Sequence, residues 1–480
     1  MRPNLLMVLL LASASLFAQV AQPQQESRLA QDFRIEGEQL SQSCGKGLKG
    51  FIGCAETLFT DHPLHIAVGS IAPQNGFGAG LAFVTHYTPN ENWRLSWNFD
   101  AIGSSNASWR AGGYMTIIHT PTEEIVPVIV TTTPGGTPST SPTSGGKPPK
   151  SNLVVRQYTV FNLYAQGIGL NKLFYFGEGP NSVPAGQSVF SEQQAIAGGN
   201  AIVPVYQKLG LALYGEINGR FVTIGSPNGQ GSPAIKDLYN NATAPGLASQ
   251  PTFVQFGEGI RMKPNFFHDH LQLNYQFTFQ QFVAPSNSTY SFRRWTGDFE
   301  HVFPLYGKTP PGPRAFNGPD QCSTAPGEKC PPISYSINRQ GAIGVRVLLT
   351  ESIADAGSVV PFYFQPTLGG SDINGSSFLA SYNDYRFRAP NLLLIRESFE
   401  HSIWGPFGFS FLADQGKVAL TRGNVNFDNL THSFAGGFTI RAGGMPVVYF
   451  LFAWGGGSSS HNIVSVDTSL LGGSTRPSLF

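Results

Sequence analysis

The side chains best suited by type to do chemistry are the cluster His268-Asp269-His270, two cysteine pairs, and serines scattered among ten histidines. Metal binding or base catalysis would be the work of the first. The cluster follows Pro264 in an expected turn, where adjacent side chains diverge instead of converging on one ion, so a solvated turn is expected and no metal is assigned. Cys44 with Cys54 and Cys322 with Cys330 stand in Gly- or Pro-containing loops, without the Cys-x-x-Cys spacing and nearby histidine of a zinc site. In an exported chain they read as disulfides closing short loops, with idle thiols the plain alternative. No serine sits in a Gly-x-Ser-x-Gly elbow. The chain is read as no enzyme, with no cofactor. What remains is a set of charges inside alternating segments: Arg94, Arg110, Glu216, Arg220, Arg294, Asp298, Glu300, Arg346, Arg396, Glu400 and Arg441. Around an open lumen these would select solutes by charge; around a plugged one they would pair with one another or with a loop.

The elements that must carry these charges are strands. In LQLNYQFTFQ, Leu271, Leu273, Tyr275, Phe277 and Phe279 fall on one face and Gln272, Asn274, Gln276, Thr278 and Gln280 on the other. WRLSWNFD (93–100), LALYGEINGRF (211–221), RRWTGDFEHVF (293–303) and AIGVRVLLT (342–350) repeat the pattern. A soluble sandwich would also alternate, with its apolar face turned inward. Strands of about ten residues, mid-strand charges of both signs and aromatic residues near strand ends fit a membrane barrel better. The fold expected is all-β, a transmembrane antiparallel barrel of about sixteen strands between Leu64 and Leu471. Three insertions interrupt it, Thr120–Ser151, Ser226–Gln250 and Gly307–Ser334. Long loops normally share one side of such barrels, and this strand count does not place all three together, which implies a misassigned strand.

Composition agrees. Of 480 residues 12% are charged and 56 are glycine, which suits strands and turns. The net charge of +1, without a basic run, gives no footing for nucleic acid. The opening MRPNLLMVLLLASASLFAQVAQ has a basic start and an apolar core from Leu5 to Leu11, too short to span a bilayer, and reads as a secretory signal. The expected organisation is a signal peptide at 1–21, a short periplasmic segment or plug at 22–60, and the barrel at 61–480.

The last third carries a resemblance. VPFYFQPTLGGSD (360–372), YRFRAPNLLLIRESFEHSIW (385–404) and LADQGKV (412–418) resemble, in order and spacing, the barrel of the BamA/TamA family of outer-membrane assembly proteins, the bacterial surface antigen barrels. The matching positions are Pro361 and Phe362 of a Pro-Phe strand, Leu368, Gly369 and Gly370, then Arg386, Phe387, Arg388 and Asn391, and Asp414 and Gly416 of an Asp-x-Gly strand. Where the family has Leu-Arg-Gly-Tyr at the tip of a loop folded into the lumen, this chain has Leu379, Ala380, Ser381 and Tyr382. With the tip arginine missing, Arg386 or Arg388 is expected to pair with the wall acid Asp414, because a buried carboxylate without a partner is costly; the alternative is that Asp414 is an ordinary lumen-facing strand residue hydrated by water. The family's periplasmic polypeptide-transport-associated modules find no room in the roughly forty residues expected ahead of the strands.

The resemblance further implies an outer-membrane location after export through the periplasm, the outer-membrane bilayer as partner, with client membrane proteins or accessory lipoproteins, and a part in inserting or exporting outer-membrane components. A weak seam between first and last strands would be its physical basis. NIVSVDTSL (462–470) is the expected last strand. The alternative is a passive, porin-like channel or a structural barrel.

Overall fold

The computed structural model describes residues 64–90, 92–119, 158–206, 209–227, 231–267, 270–307, 338–404, 406–442, 445–456, 461–466 and 476–479. The expected signal peptide, the 22–60 segment, all four cysteines, and His268 and Asp269 lie outside them.

Strand after strand pairs antiparallel with its neighbour. β1 (Leu64–Ser70) pairs with β2 (Phe77–Asn90), followed by β3 (Trp93–Ser104), β4 (Trp109–His119), β5 (Thr159–Tyr175), β6 (Ser188–Tyr206), β7 (Leu211–Gly225) and β8 (Phe253–Met262). The two-residue β9 (Asn265–Phe266) is a side pairing of β10 (Leu271–Val283), which otherwise joins β8 to β11 (Phe292–Gly307) and so to β12 (Asn338–Ala354). β13 (Thr367–Leu368) and β14 (Phe387–Arg388) pair only with each other, so β12 runs directly to β15 (Asn391–Trp404). β16 (Phe407–Ala419), β17 (Thr431–Ala442), β18 (Met445–Gly455) and β19 (His461–Val466) complete the series. Without the three two-residue pieces this is the expected sixteen-stranded meander. Its inner members run from 10 residues in β8, the expected length, to 19 in β6.

The faces of these strands are arranged the opposite way from a soluble sandwich. On β7, Ile217 and Phe221 are 56% and 58% exposed, whereas Asn218 and Arg220 between them are 2% and 0% exposed. Phe277 is exposed and Thr278 buried on β10; Phe399, Phe438, Phe450 and Phe452 are exposed, while Asp414, Ser433 and Thr439 are buried. Alternation thus puts apolar side chains outside and polar ones inside, as lipid on one side and a lumen on the other require.

Contacts of a single connection reveal how far the sheet curls. Laid flat, sixteen strands would span roughly 75 Å. Yet Phe362 packs on Tyr175 of β5 and Phe190 of β6, and Phe364 on Phe253 of β8 and Phe282 of β10. The Leu379 amide reaches Asp414 of β16, the Ser381 amide Ser433 of β17, and the Tyr385 hydroxyl the Pro73 carbonyl between β1 and β2. One segment of about thirty residues touches strands along the whole meander only if the sheet wraps around it.

Strand direction also resolves the loop problem. Residues 71–76, 176–187, 226–252, 284–291 and 355–390 connect strands at one rim, and the β4–β5 and β11–β12 connections leave from the other. Long connections occur at both rims, so the scattered insertions reflect no misassigned strand. The expected last strand is β19, and its described part ends at Val466.

Candidate functional site: a loop clamped inside the curled sheet

The connection between β12 and β15 enters the interior through Val360 and Pro361. The resemblance implies a Pro-Phe strand here; instead Phe362–Phe364 form one 3-10 turn with all three rings buried. Proline fixes the entry dihedral, and a ring surrounded on every side has no outer face to alternate with. The turn is tied at its start, where the Phe362 amide donates to the Pro245 carbonyl at 2.8 Å. Arg294 of β11, fully buried, donates to the Phe364 carbonyl and lies 5.4 and 5.3 Å from the Phe282 and Phe292 ring centres.

Gly369 and Gly370 then reverse the chain. Both have positive φ, +96° and +58°, and a Cβ on either would fall about 2.5 Å from atoms of Arg386 or Asp384, so no other residue fits both the turn and the return strand. β13 pairs with β14 across this reversal, and the Phe378 amide donates to the Gly370 carbonyl at 2.9 Å. Asp372 closes a tight turn by accepting the Asn374 and Ser376 amides at 2.9 and 2.8 Å. Burial pushes its carboxyl up to about 7, against the pull of those amides. Gly416 serves the wall: a Cβ there would stand 2.8 Å from the Leu393 carbonyl and 3.1 Å from Leu368 of the loop.

The tip of the loop sits on a ladder of charges. Arg346 of β12 and Arg396 of β15 are directly opposite each other, and Arg396 is directly opposite Asp414 of β16. Arg396 forks onto Asp414 at 2.6 and 2.7 Å, and Arg346 forks onto Asp298 of β11 at 2.8 and 2.7 Å. Each arginine is neutralised by a carboxylate on its outer side, which leaves two guanidinium faces side by side. Phe378 covers them, its ring centre 4.7 Å from Arg396 and 5.5 Å from Arg346. Arg396 also donates to the Ser377 carbonyl, and Asp414 accepts the Leu379 amide at 2.8 Å. Leu379 has φ +51°, so the tip holds a non-glycine residue in the left-handed region against this grip.

These contacts correct one expectation. The partner of Asp414 is Arg396, on the neighbouring strand, and neither Arg386 nor Arg388. Arg386 turns the other way, donating to the Ser182 hydroxyl and carbonyl and covering Phe176 and Phe387. Arg388 donates to the Phe362 carbonyl at 2.6 Å, and its own carbonyl accepts the Gly179 amide. Both fasten the returning arm to the β5–β6 connection. Burial lowers the tendency of either to hold its proton. Ala380 is buried where the family has arginine, and the Ser381 amide donates to Ser433 at 2.9 Å. Tyr382 packs edge-on against Phe387.

Between loop and wall lies a cavity of about 250 Å³ lined by Arg294, Arg346, Asp372, Asn374, Phe378 and Ser478 among others. Of the other interior charges, Arg110 pairs with Asp100 and Glu216 accepts from Tyr164, Tyr214, Asn218 and Gln255, whereas the buried Arg220 donates through Nε to Asn218 and leaves both terminal nitrogens without a hydrogen bond among the described residues. Among the described residues no group of three histidine, cysteine or acidic side chains could hold a metal.

Compared by sequence, the chain matches no family model and no curated protein. Among solved structures it is similar to BamA from Haemophilus ducreyi lacking POTRA domains 1–3, at 8% identity and a TM-score of 0.43, over 89% of this chain and 78% of that one. It is similar also to CdiB from Acinetobacter baumannii (10% identity, TM-score 0.42, 84% and 56% covered) and CdiB from Escherichia coli (11%, 0.40, 85% and 61%). The chain spans less than two thirds of either CdiB chain.

Proposed function

We propose that this chain is a transmembrane antiparallel β-barrel of the outer membrane, similar to the BamA/TamA assembly barrels, and that it takes part in inserting or exporting outer-membrane components. The observation that carries this reading is the grip of Arg396 and Asp414 on residues 377–379, which holds the loop inside at the positions where the family motif falls. A seam between the first and last strands would be where a client strand is admitted. The outward apolar faces make the bilayer of the outer membrane the first partner, and client chains the second.

The test is whether the purified barrel in liposomes speeds folding of a second, unrelated outer-membrane barrel. Acceleration over empty liposomes is expected; none would sink the assembly reading. A steady ohmic current across planar bilayers would instead support a passive channel, against which the filled interior argues.

A further inference from the structure

We infer that the interior contains a peptide-binding groove that reads an arginine three residues ahead of a leucine, and that the chain's own Arg476–Leu479 occupies it. This segment is not a continuation of the sheet; side chains hold the Leu479 backbone. The Leu479 amide donates to Asn374 Oδ1 at 2.8 Å, and the Leu479 carbonyl accepts from Gln194 Nε2 of β6 at 3.1 Å. Asn374 Nδ2 also donates to Ser478 Oγ at 3.3 Å. Arg476 Nη2 lies 2.9 Å from Asp100 Oδ2 of β3, a carboxylate whose side chain is only 3% exposed. The Leu479 side chain joins the main buried apolar cluster of the lumen. Side-chain amides that capture a backbone N–H and C=O hold any extended peptide, whereas a buried carboxylate and an apolar niche select for side-chain type. The groove therefore supplies both the hold and the selection, from β3, β6 and the tip of the clamped loop.

The inference rests on the proposal that client chains reach this lumen, and gives that lumen a preference: a client segment with basic and leucine residues at this spacing would displace Arg476–Leu479, which act as an occupant held in cis. Displacement would also free Asn374, and with it the turn that Asp372 closes.

Binding of a fluorescent Arg-Pro-Ser-Leu-Phe peptide to the refolded barrel in detergent, read by anisotropy, tests this. Deleting residues 476–480 is expected to tighten peptide binding at least about tenfold over the full chain, the scale of a hydrogen bond to a charged group. Replacing the peptide's arginine by alanine, or D100N in the barrel, should weaken it by a similar factor. Should the deletion impair folding, R476A in the full chain is expected to admit free peptide with the same direction of change. Equal binding by full and altered chains, or equal binding of a scrambled peptide, would overturn the groove. A barrel that binds peptide yet fails to speed client folding would instead overturn the assembly reading alone.

Discussion

At the scale of single residues, the ladder Asp298–Arg346–Arg396–Asp414 explains why two like charges can stand directly opposite on adjacent strands. Alone, such a pair is destabilising; with a fork to a carboxylate on each outer side, the repulsion is offset and the exposed guanidinium faces become a seat for Phe378. Removing one member strands its partner. R396A should cost roughly 3–5 kcal/mol by leaving Asp414 buried and unpaired, and the double change R396A/D414A should cost less than R396A alone. Midpoints of denaturant unfolding in detergent would establish the order, and a double variant no better than the single would count against the pair. Asp372 offers a pH test. Burial raises its folded carboxyl to about 7 against an ordinary 3.8 in the unfolded chain, so between these limits the folded state holds a proton that the unfolded state has lost. Stability should then fall as pH rises, by about 1.4 kcal/mol per pH unit from this group, and level off above 7. In D372N the amide oxygen can still accept the Asn374 and Ser376 amides without a charge to bury. Its unfolding midpoint should change less than wild type between pH 4 and 7.

At the scale of elements, the β15–β16 hairpin was more legible than its partners. With its turn placed at Gly405-Pro406, counting back along the two strands sets Arg396 opposite Gln415, one residue from its actual partner Asp414, a step made by the register shift between Ser402 and Trp404. The proximity of Arg386 and Arg388 to Gly370 in sequence points the other way, because nearness along a loop does not determine which wall its side chains face. The loop itself depends on Gly369 and Gly370. G370A meets both a left-handed backbone and a Cβ position 2.4 Å from Asp384 Oδ1, so it should cost roughly 1–3 kcal/mol and loosen the reversal. Limited proteolysis should then cut between residues 371 and 385 faster than in wild type; unchanged cleavage would mean that the clamp on Phe378 and Leu379 alone holds the loop.

At the scale of the whole molecule, an interior filled by residues 355–390 and a surface of exposed aromatic and branched side chains make sense together only if lipid covers the outside. I217K, at the centre of the outward face of β7, should reduce folding stability in liposomes by roughly 2–4 kcal/mol, the cost of a lysine at mid-bilayer. The same change on a solvated strand face would be worth a few tenths, and such a small effect would refute lipid exposure of this face. Alternation along the chain was enough to show the two faces of each strand and the strand count, because period-two patterning is a local property; Gly369 and Gly370 stood out only through the resemblance, without the reversal they make. Only the tertiary structure decided that Arg396 meets Asp414, that the Phe362–Phe364 rings turn in place of a strand, and that Arg476–Leu479 lie among Asp100, Gln194 and Asn374. Those contacts join residues far apart along the chain, and their geometry is set by the curl of the sheet, a sum of small twists that no single segment encodes.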